Sequence, residues 1–278
     1  MNEPVKLVAL DLDRTTLNSQ GHLSVSNRQA IISAINKGIH VCIASGRAFD
    51  TLPEDILSVP GIEYAITSNG AAVYRISGKE CLKSYILTEQ SVKTILKLTA
   101  DDPVTYEAFI RGQAFGSTDY VNNPDKYGAT EHSLSYVKKT RVLMEDIAGF
   151  ILEHCNELDS IDIVVNDDAL KQDIMTRIRN ATDDVYMTSS IKQLLEISYR
   201  DAGKKSGLQF LADYLGISPL SIAAFGDADN DLDMIKYAGY GIAMENASPH
   251  LKNAADYVTL HHDNDGIAYA FHNILNIC

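Results

Sequence analysis

Cysteine is scarce in this 278-residue chain. Cys42, Cys81, Cys155 and Cys278 are scattered, with no close pairing and no metal-ligand spacing. That excludes a disulfide framework and a thiolate metal cluster, and the thiols read as reduced, as in a cytoplasmic protein. Long apolar runs are missing too: no stretch approaches the ~20 residues that cross a bilayer. Residues 1–6 lack the basic-then-apolar layout of a signal peptide, so no membrane association is expected. Basic residues are few. Lys and Arg number 24 against 37 Asp and Glu, a formal charge of −13, which leaves no basic footprint for nucleic acid. The deficit still permits an anionic substrate where a metal ion or a few local cations reverse the potential. Repeats and low-complexity segments are absent. What remains is 45% hydrophobic and 22% charged, enough for one large globular domain or two modest ones.

Residues 5–82 alternate strand and helix. An apolar strand at 5–10 is followed by a helix opened by a Ser26/Gln29 capping box and stopped by Gly38. Two further strands end at Ser45-Gly46-Arg47 and Ser68-Asn69-Gly70, the second leading into a hairpin. Short links and buried strands separated by helices predict a parallel sheet covered by helices. Residues 83–190 change character. Alternating strands flank Arg111-Gly112, a polar loop spans 122–141, and helix, strand, helix and strand follow at 146–157, 160–166, 168–180 and 184–188. This reads as an α+β domain inserted into the first. From 191 to 278 the parallel pattern is expected to resume, "QLLEIS" leading to a helix at Lys204 and "SIAAFGD" to one near Asp229.

In such a sheet the ligand site lies at the carboxyl ends of the strands. The polar signatures there converge on one rim. Asp11 and Asp13, one residue apart at a strand end, repel each other unless a cation intervenes. Asp227 and Asp231 add to that concentration of charge, and oxygen-only donors suit Mg²⁺ better than zinc; a purely structural ion is the alternative. Ser45, Gly46 and Arg47 read as a phosphate cradle of hydroxyl, free backbone N–H groups and a helix N-terminus, or otherwise as a plain capped turn. Lys204 opens a helix, where the dipole disfavours a cation, so another group should require it. His261 and His262, with no acidic or sulfur partner nearby, read as surface loop residues. Tyr106, Phe109 and Phe115 read as core.

Together these motifs resemble the haloacid dehalogenase-like hydrolase superfamily, in its Cof-type branch with a large α/β (C2B-type) cap. "DLDRTTL" matches the first motif, "ASGR" the second, Lys204 in "DAGKKSGL" the third and "GDADND" the fourth. The resemblance implies a Rossmann-like catalytic core, residues 1–82 and 191–278, and a cap at 83–190 that closes over the rim. Arg111 and the 122–141 loop are candidate contacts to the leaving group. It implies Asp11 as nucleophile, Asp13 as general acid and base, Ser45, Gly46, Arg47, Lys204 and Asn230 at the phosphate, and Mg²⁺ at Asp11, the Asp13 carbonyl, Asp227 and Asp231. Three positions depart from the pattern: Arg14 and Glu245 stand where glycine is usual, and Gly203 where a polar residue is. If Arg14 has φ > 0 it costs about 1–2 kcal/mol, and its side chain is expected outward or on the substrate.

The expected activity is a Mg²⁺-dependent phosphomonoesterase acting on a small phosphorylated metabolite, sugar phosphates before phosphorylated cofactors, in a monomer or weak homodimer. A phosphomutase on the same scaffold is the alternative enzyme. A phosphosugar sensor is the non-enzymatic one, disfavoured because a sensor has no use for a nucleophile.

Overall fold

The computed structural model describes residues 3–129 and 131–278. Its strands, numbered along the chain, begin with β1 (Leu7–Leu10), β2 (His40–Ala44), β3 (Ile62–Thr67), β4 (Ala72–Arg75) and β5 (Glu80–Ser84). Next come β6 (Thr105–Ile110), β7 (Gln113–Ser117), β8 (Arg141–Met144), β9 (Ser160–Val164), β10 (Val185–Thr188) and β11 (Leu194–Tyr199). The last are β12 (Ile222–Gly226), β13 (Tyr240–Ala243) and β14 (Tyr257–Val258).

The chain divides into two compact units. The first comprises the chain up to Arg47, Leu52–Lys83 and Gly203–Cys278; the second comprises Ala48–Thr51 and Ser84–Ala202. The first unit carries an eight-stranded sheet in the order β14-β13-β12-β1-β2-β3-β4-β5. It is parallel from β14 to β3, and β4 turns back antiparallel on β3. The first strand sits between β2 and β12, so successive connections leave it in opposite directions, and a crevice forms at its carboxyl end. Leu7 to Leu10 are fully buried, as a strand covered on both faces must be. Leu208, Leu211 and Ala212 of the helix Lys204–Leu215 pack with Leu7, Ala9, Cys42 and Ile66. The helix Val25–Asn36 is capped by Ser24, whose side chain accepts from the Asn27 N–H. Ser26, the expected cap, is already inside the first turn.

The second unit carries a six-stranded sheet, β10-β11-β9-β6-β7-β8, antiparallel except for β7 with β8. Helices Glu89–Leu98, Ile147–Glu153 and Asp168–Ala181 cover one face through Val92, Ile95, Ile151, Ile174 and Ile178. Two sequence expectations change here. The 122–141 segment is not an open loop: Pro124–Tyr127 forms a 3-10 turn and Glu131–Thr140 a helix before β8. "QLLEIS" does not resume the parallel sheet. It forms β11, paired antiparallel with β9 and β10, so residues 191–202 leave the expected core segment. Its run of buried residues suits a central strand of either sheet, and periodicity cannot choose between them. Among the described residues no helix is long and apolar enough to cross a membrane.

Candidate active site

The nucleophile candidate leaves the end of β1. Asp11 is 6% exposed, and its backbone N–H continues the ladder to the Phe225 carbonyl at 3.2 Å. Lys204 Nζ donates to Asp11 Oδ1 at 2.7 Å and to Asp231 Oδ1 at 2.6 Å. This explains a lysine at a helix start: two buried carboxylates outweigh the unfavourable helix dipole. Lys204 can come this close because two glycines meet beneath it. A Cβ on Gly70 (φ +90°) would lie 1.9 Å from the Gly203 carbonyl oxygen and 2.8 Å from the Lys204 nitrogen.

The fourth motif is pinned by its own backbone. Asp231 Oδ2 accepts from the N–H groups of Asp227 (3.0 Å) and Ala228 (3.1 Å). A Cβ on Gly226 would strike the Asp231 side chain at 2.4 Å, so glycine there permits the fold-back. One oxygen each of Asp11, Asp227 and Asp231 lie within 4.8 Å of one another, and all three residues are buried. Their charge is poorly compensated. Burial pushes the Asp11 carboxyl up to about 7 and Asp227 up to about 8, with neighbouring carboxylates adding to the rise. Unshifted ionisation of Asp11, expected for a free carboxylate, therefore needs a cation. Three converging oxygens short of positive charge fit a hard divalent ion.

Asp13 points elsewhere. Its carboxylate is gripped by Arg47, Nε to Oδ2 at 2.8 Å and Nη2 to Oδ1 at 2.6 Å, a bidentate pair that fixes its orientation. Arg47, expected at the phosphate, is thus committed to Asp13. Ser45 is buried, and its Oγ accepts from the Arg47 N–H at 3.2 Å. No helix starts at Ser45-Gly46-Arg47. The next element is a single 3-10 turn, Phe49–Thr51, so the expected helix N-terminus is missing from this cradle. Asn230 Nδ2 donates to Asn69 Oδ1 at 2.9 Å. Ser68 Oγ and Asn230 Oδ1 are buried with no partner among the described residues, which leaves polar capacity for a bound group.

Arg14 adopts φ +60° with its side chain 58% exposed and Nε 3.5 Å from Asp227 Oδ2. It is outward, as expected, yet remains beside the acidic cluster. Sequence reasoning gave no role to Thr15, Thr16 or Asn69. Thr16 Oγ1 donates to the Asp11 carbonyl at 2.5 Å and Thr15 Oγ1 reaches Asp227 Oδ1 at 3.4 Å. Two consecutive buried hydroxyl residues after an acidic strand end were the available signal.

A parallel sheet with buried carboxylates and one lysine at its switch point defines an α/β enzyme site whose clustered oxygens could hold a cation. Residues 8–271 match the haloacid dehalogenase-like hydrolase family, and the chain belongs to it. It is 30% identical to the phosphatase YwpJ of Bacillus subtilis (strain 168), over 98% of this chain and 100% of that one. It is 28% identical to the 5-amino-6-(5-phospho-D-ribitylamino)uracil phosphatase YwtE of the same organism, over 98% and 99%. A solved haloacid dehalogenase-like hydrolase from B. subtilis superposes with a TM-score of 0.84 at 26% identity, covering 98% of this chain and 100% of that one.

Proposed function

We propose that this hydrolase is a Mg²⁺-dependent phosphomonoesterase acting on small organic phosphates through an aspartyl-phosphate on Asp11. The observation that carries the reading is the buried Asp11 carboxylate, held by Lys204 beside the oxygens of Asp227 and Asp231. Relatives named as phosphatases support the reaction class. Asp11, the Asp13 carbonyl, Asp227 and Asp231 are the groups that would hold the ion. When bound, it supplies the positive charge that lets a carboxylate approach an anionic phosphoryl group.

The chain's own residues do the rest. Asp11 Oδ attacks phosphorus, and Lys204 and Ser45 donate to the phosphoryl oxygens, where charge is spread in the transition state. Asp13, held in place by Arg47, gives a proton to the departing alkoxide. It then takes one from the water that opens the acyl phosphate. Sugar and polyol phosphates are the favoured substrate class, phosphorylated cofactors next; the relative named for a phosphoribityl compound supports a polyhydroxyl leaving group. A cytoplasmic location is supported by four scattered cysteines that lack the spacing of a disulfide framework.

The test is phosphate release from p-nitrophenyl phosphate and a panel of phosphorylated metabolites. Activity is expected to vanish with EDTA and return with Mg²⁺. Ca²⁺, which prefers more ligands at longer distances, should support it poorly. Full activity in chelator would overturn the mechanism.

A further inference from the structure

We infer that His261, His262 and Asp263 form a second metal site, taking a transition ion of the zinc class and separate from the oxygen-only cluster. The sequence reads both histidines as surface loop residues, but His262 is buried, and Asp263, the next residue in the chain, sets its carboxylate beside both rings. Asp263 Oδ2 lies 3.6 Å from His261 Nδ1 and 3.8 Å from His262 Nε2, and one donor atom of each residue falls within 4.8 Å of the others. Both distances are too long for hydrogen bonds. They are close to the edge of a tetrahedron: metal–ligand bonds of about 2.0–2.2 Å put neighbouring donors roughly 3.3–3.5 Å apart.

The independent observation is the tautomer of His262. Its ring is 6% exposed, and Nδ1 sits 2.9 Å from the Leu17 carbonyl oxygen. A carbonyl only accepts, so Nδ1 carries the hydrogen and, in the neutral ring, Nε2 carries a lone pair. Nothing among the described residues donates to that lone pair, and it faces Asp263. A backbone carbonyl on the far nitrogen is the usual support for a metal-ligating imidazole.

The other donors are braced too. Ser19 donates to Asp263 from its N–H at 2.7 Å and from Oγ at 2.6 Å, and these bonds hold the carboxyl below its ordinary range. Asn246 Oδ1 accepts from the His262 N–H at 3.1 Å, and Glu245 Oε2 from the His261 N–H at 3.1 Å. Glu245 is one of the positions that departs from the family pattern. His261 Nδ1 accepts a long bond from the Asp263 N–H, 3.2 Å, which metal binding would trade for a stronger contact. His261 and Asp263 are each about one-third exposed, so an ion can enter from solvent and keep a water as fourth ligand.

Two imidazole nitrogens and one carboxylate favour Zn²⁺, Ni²⁺ or Cu²⁺ over Mg²⁺. An ion here would clip the 261–263 turn to Leu17 and Ser19, just past the Asp11–Thr16 segment.

The test uses Co²⁺ and Zn²⁺ as probes on the metal-stripped full-length protein, with excess Mg²⁺ to occupy the oxygen cluster. Wild type should bind one equivalent of Co²⁺ with the strong visible bands of four-coordinate nitrogen ligation, displaced by Zn²⁺. His261→Ala and Asp263→Asn should each weaken Zn²⁺ binding at least tenfold, with metal-free melting curves confirming the fold. Asp227→Asn should leave the Co²⁺ spectrum unchanged. Imidazole ¹⁵N spectra should show the His262 Nε2 resonance move on adding Zn²⁺ while Nδ1 keeps its proton. Undiminished Zn²⁺ affinity in both His261→Ala and Asp263→Asn would overturn the assignment. So would a Co²⁺ spectrum lost in Asp227→Asn, or a His262 Nε2 that already carries a proton and does not respond.

Discussion

Remove divalent ions, and this protein should become less stable as pH rises through neutrality. The cause is Asp11. In the folded chain its carboxyl is pushed from an ordinary 3.8 up to about 7, chiefly by burial. A carboxyl with a raised folded pKa binds its proton more tightly in the native state. Its contribution is therefore fully present below about 4 and is lost progressively as pH rises towards 7. At about 1.4 kcal/mol per unit, a rise of about 3 units amounts to roughly 4 kcal/mol. Asp227, up to about 8, acts in the same direction, but each carboxyl already feels the other's charge, so the two are not added.

Between pH 5 and 7 Asp11 alone lowers stability by about 2 kcal/mol, or a fall in Tm of ~4–8 °C for a chain of this size. Other buried carboxyls contribute a background, Asp162 in the second unit among them, raised by burial and by Glu196 and Glu107. The decisive quantity is therefore the difference between wild type and Asp11→Asn. Thermal unfolding in EDTA at pH 5, 6, 7 and 8 should show wild type falling more steeply. Mg²⁺ should restore wild-type Tm increasingly towards high pH, with little effect on the variant. Parallel slopes in the two proteins, or metal-free stability flat from pH 5 to 7, would refute the burial argument.

Asp11→Asn, nearly isosteric, should fold and retain less than a hundredth of wild-type kcat on p-nitrophenyl phosphate, a loss beyond ~2.7 kcal/mol; a smaller loss in steady-state assays would remove Asp11 from the nucleophile role. Asp13→Asn should turn over slowly on every substrate, yet release about one equivalent of p-nitrophenolate in a burst, since that group leaves without protonation while the phosphoenzyme waits for its base. A sugar phosphate should give no comparable burst, and rapid-quench sampling of both esters checks the contrast. Gly70→Ala should destabilise the fold by about 2–5 kcal/mol in urea titration, because a Cβ at positive φ would meet the Gly203 backbone. The surviving folded fraction should also lose activity as Lys204 is displaced.

Local chemistry made much of this protein legible without coordinates. Strands ending in Asp11, Ser45, Ser68 and Asp227, separated by helical spacing, already imply a parallel sheet with its polar ends on one rim. The reason is that chain direction and right-handed crossovers leave few other arrangements. The oxygen-only donor set followed from residue type alone. What pairs with what did not. Asn69-Gly70 announces a turn, but only packing shows that the turn must admit the Gly203 carbonyl so that Lys204 can reach two carboxylates. An apolar hexapeptide is a strand in either sheet, and the assignment of Leu194–Tyr199 rests on ladder partners drawn from β9 and β10. Arg47 has the charge to meet a phosphate; its commitment to Asp13 is a matter of distance between side chains 34 residues apart. The lone pair of His262 is settled by a carbonyl 245 residues away. Residue type sets which interactions are possible, and the tertiary fold alone brings the partners within the few ångströms over which hydrogen bonds and ion pairs act.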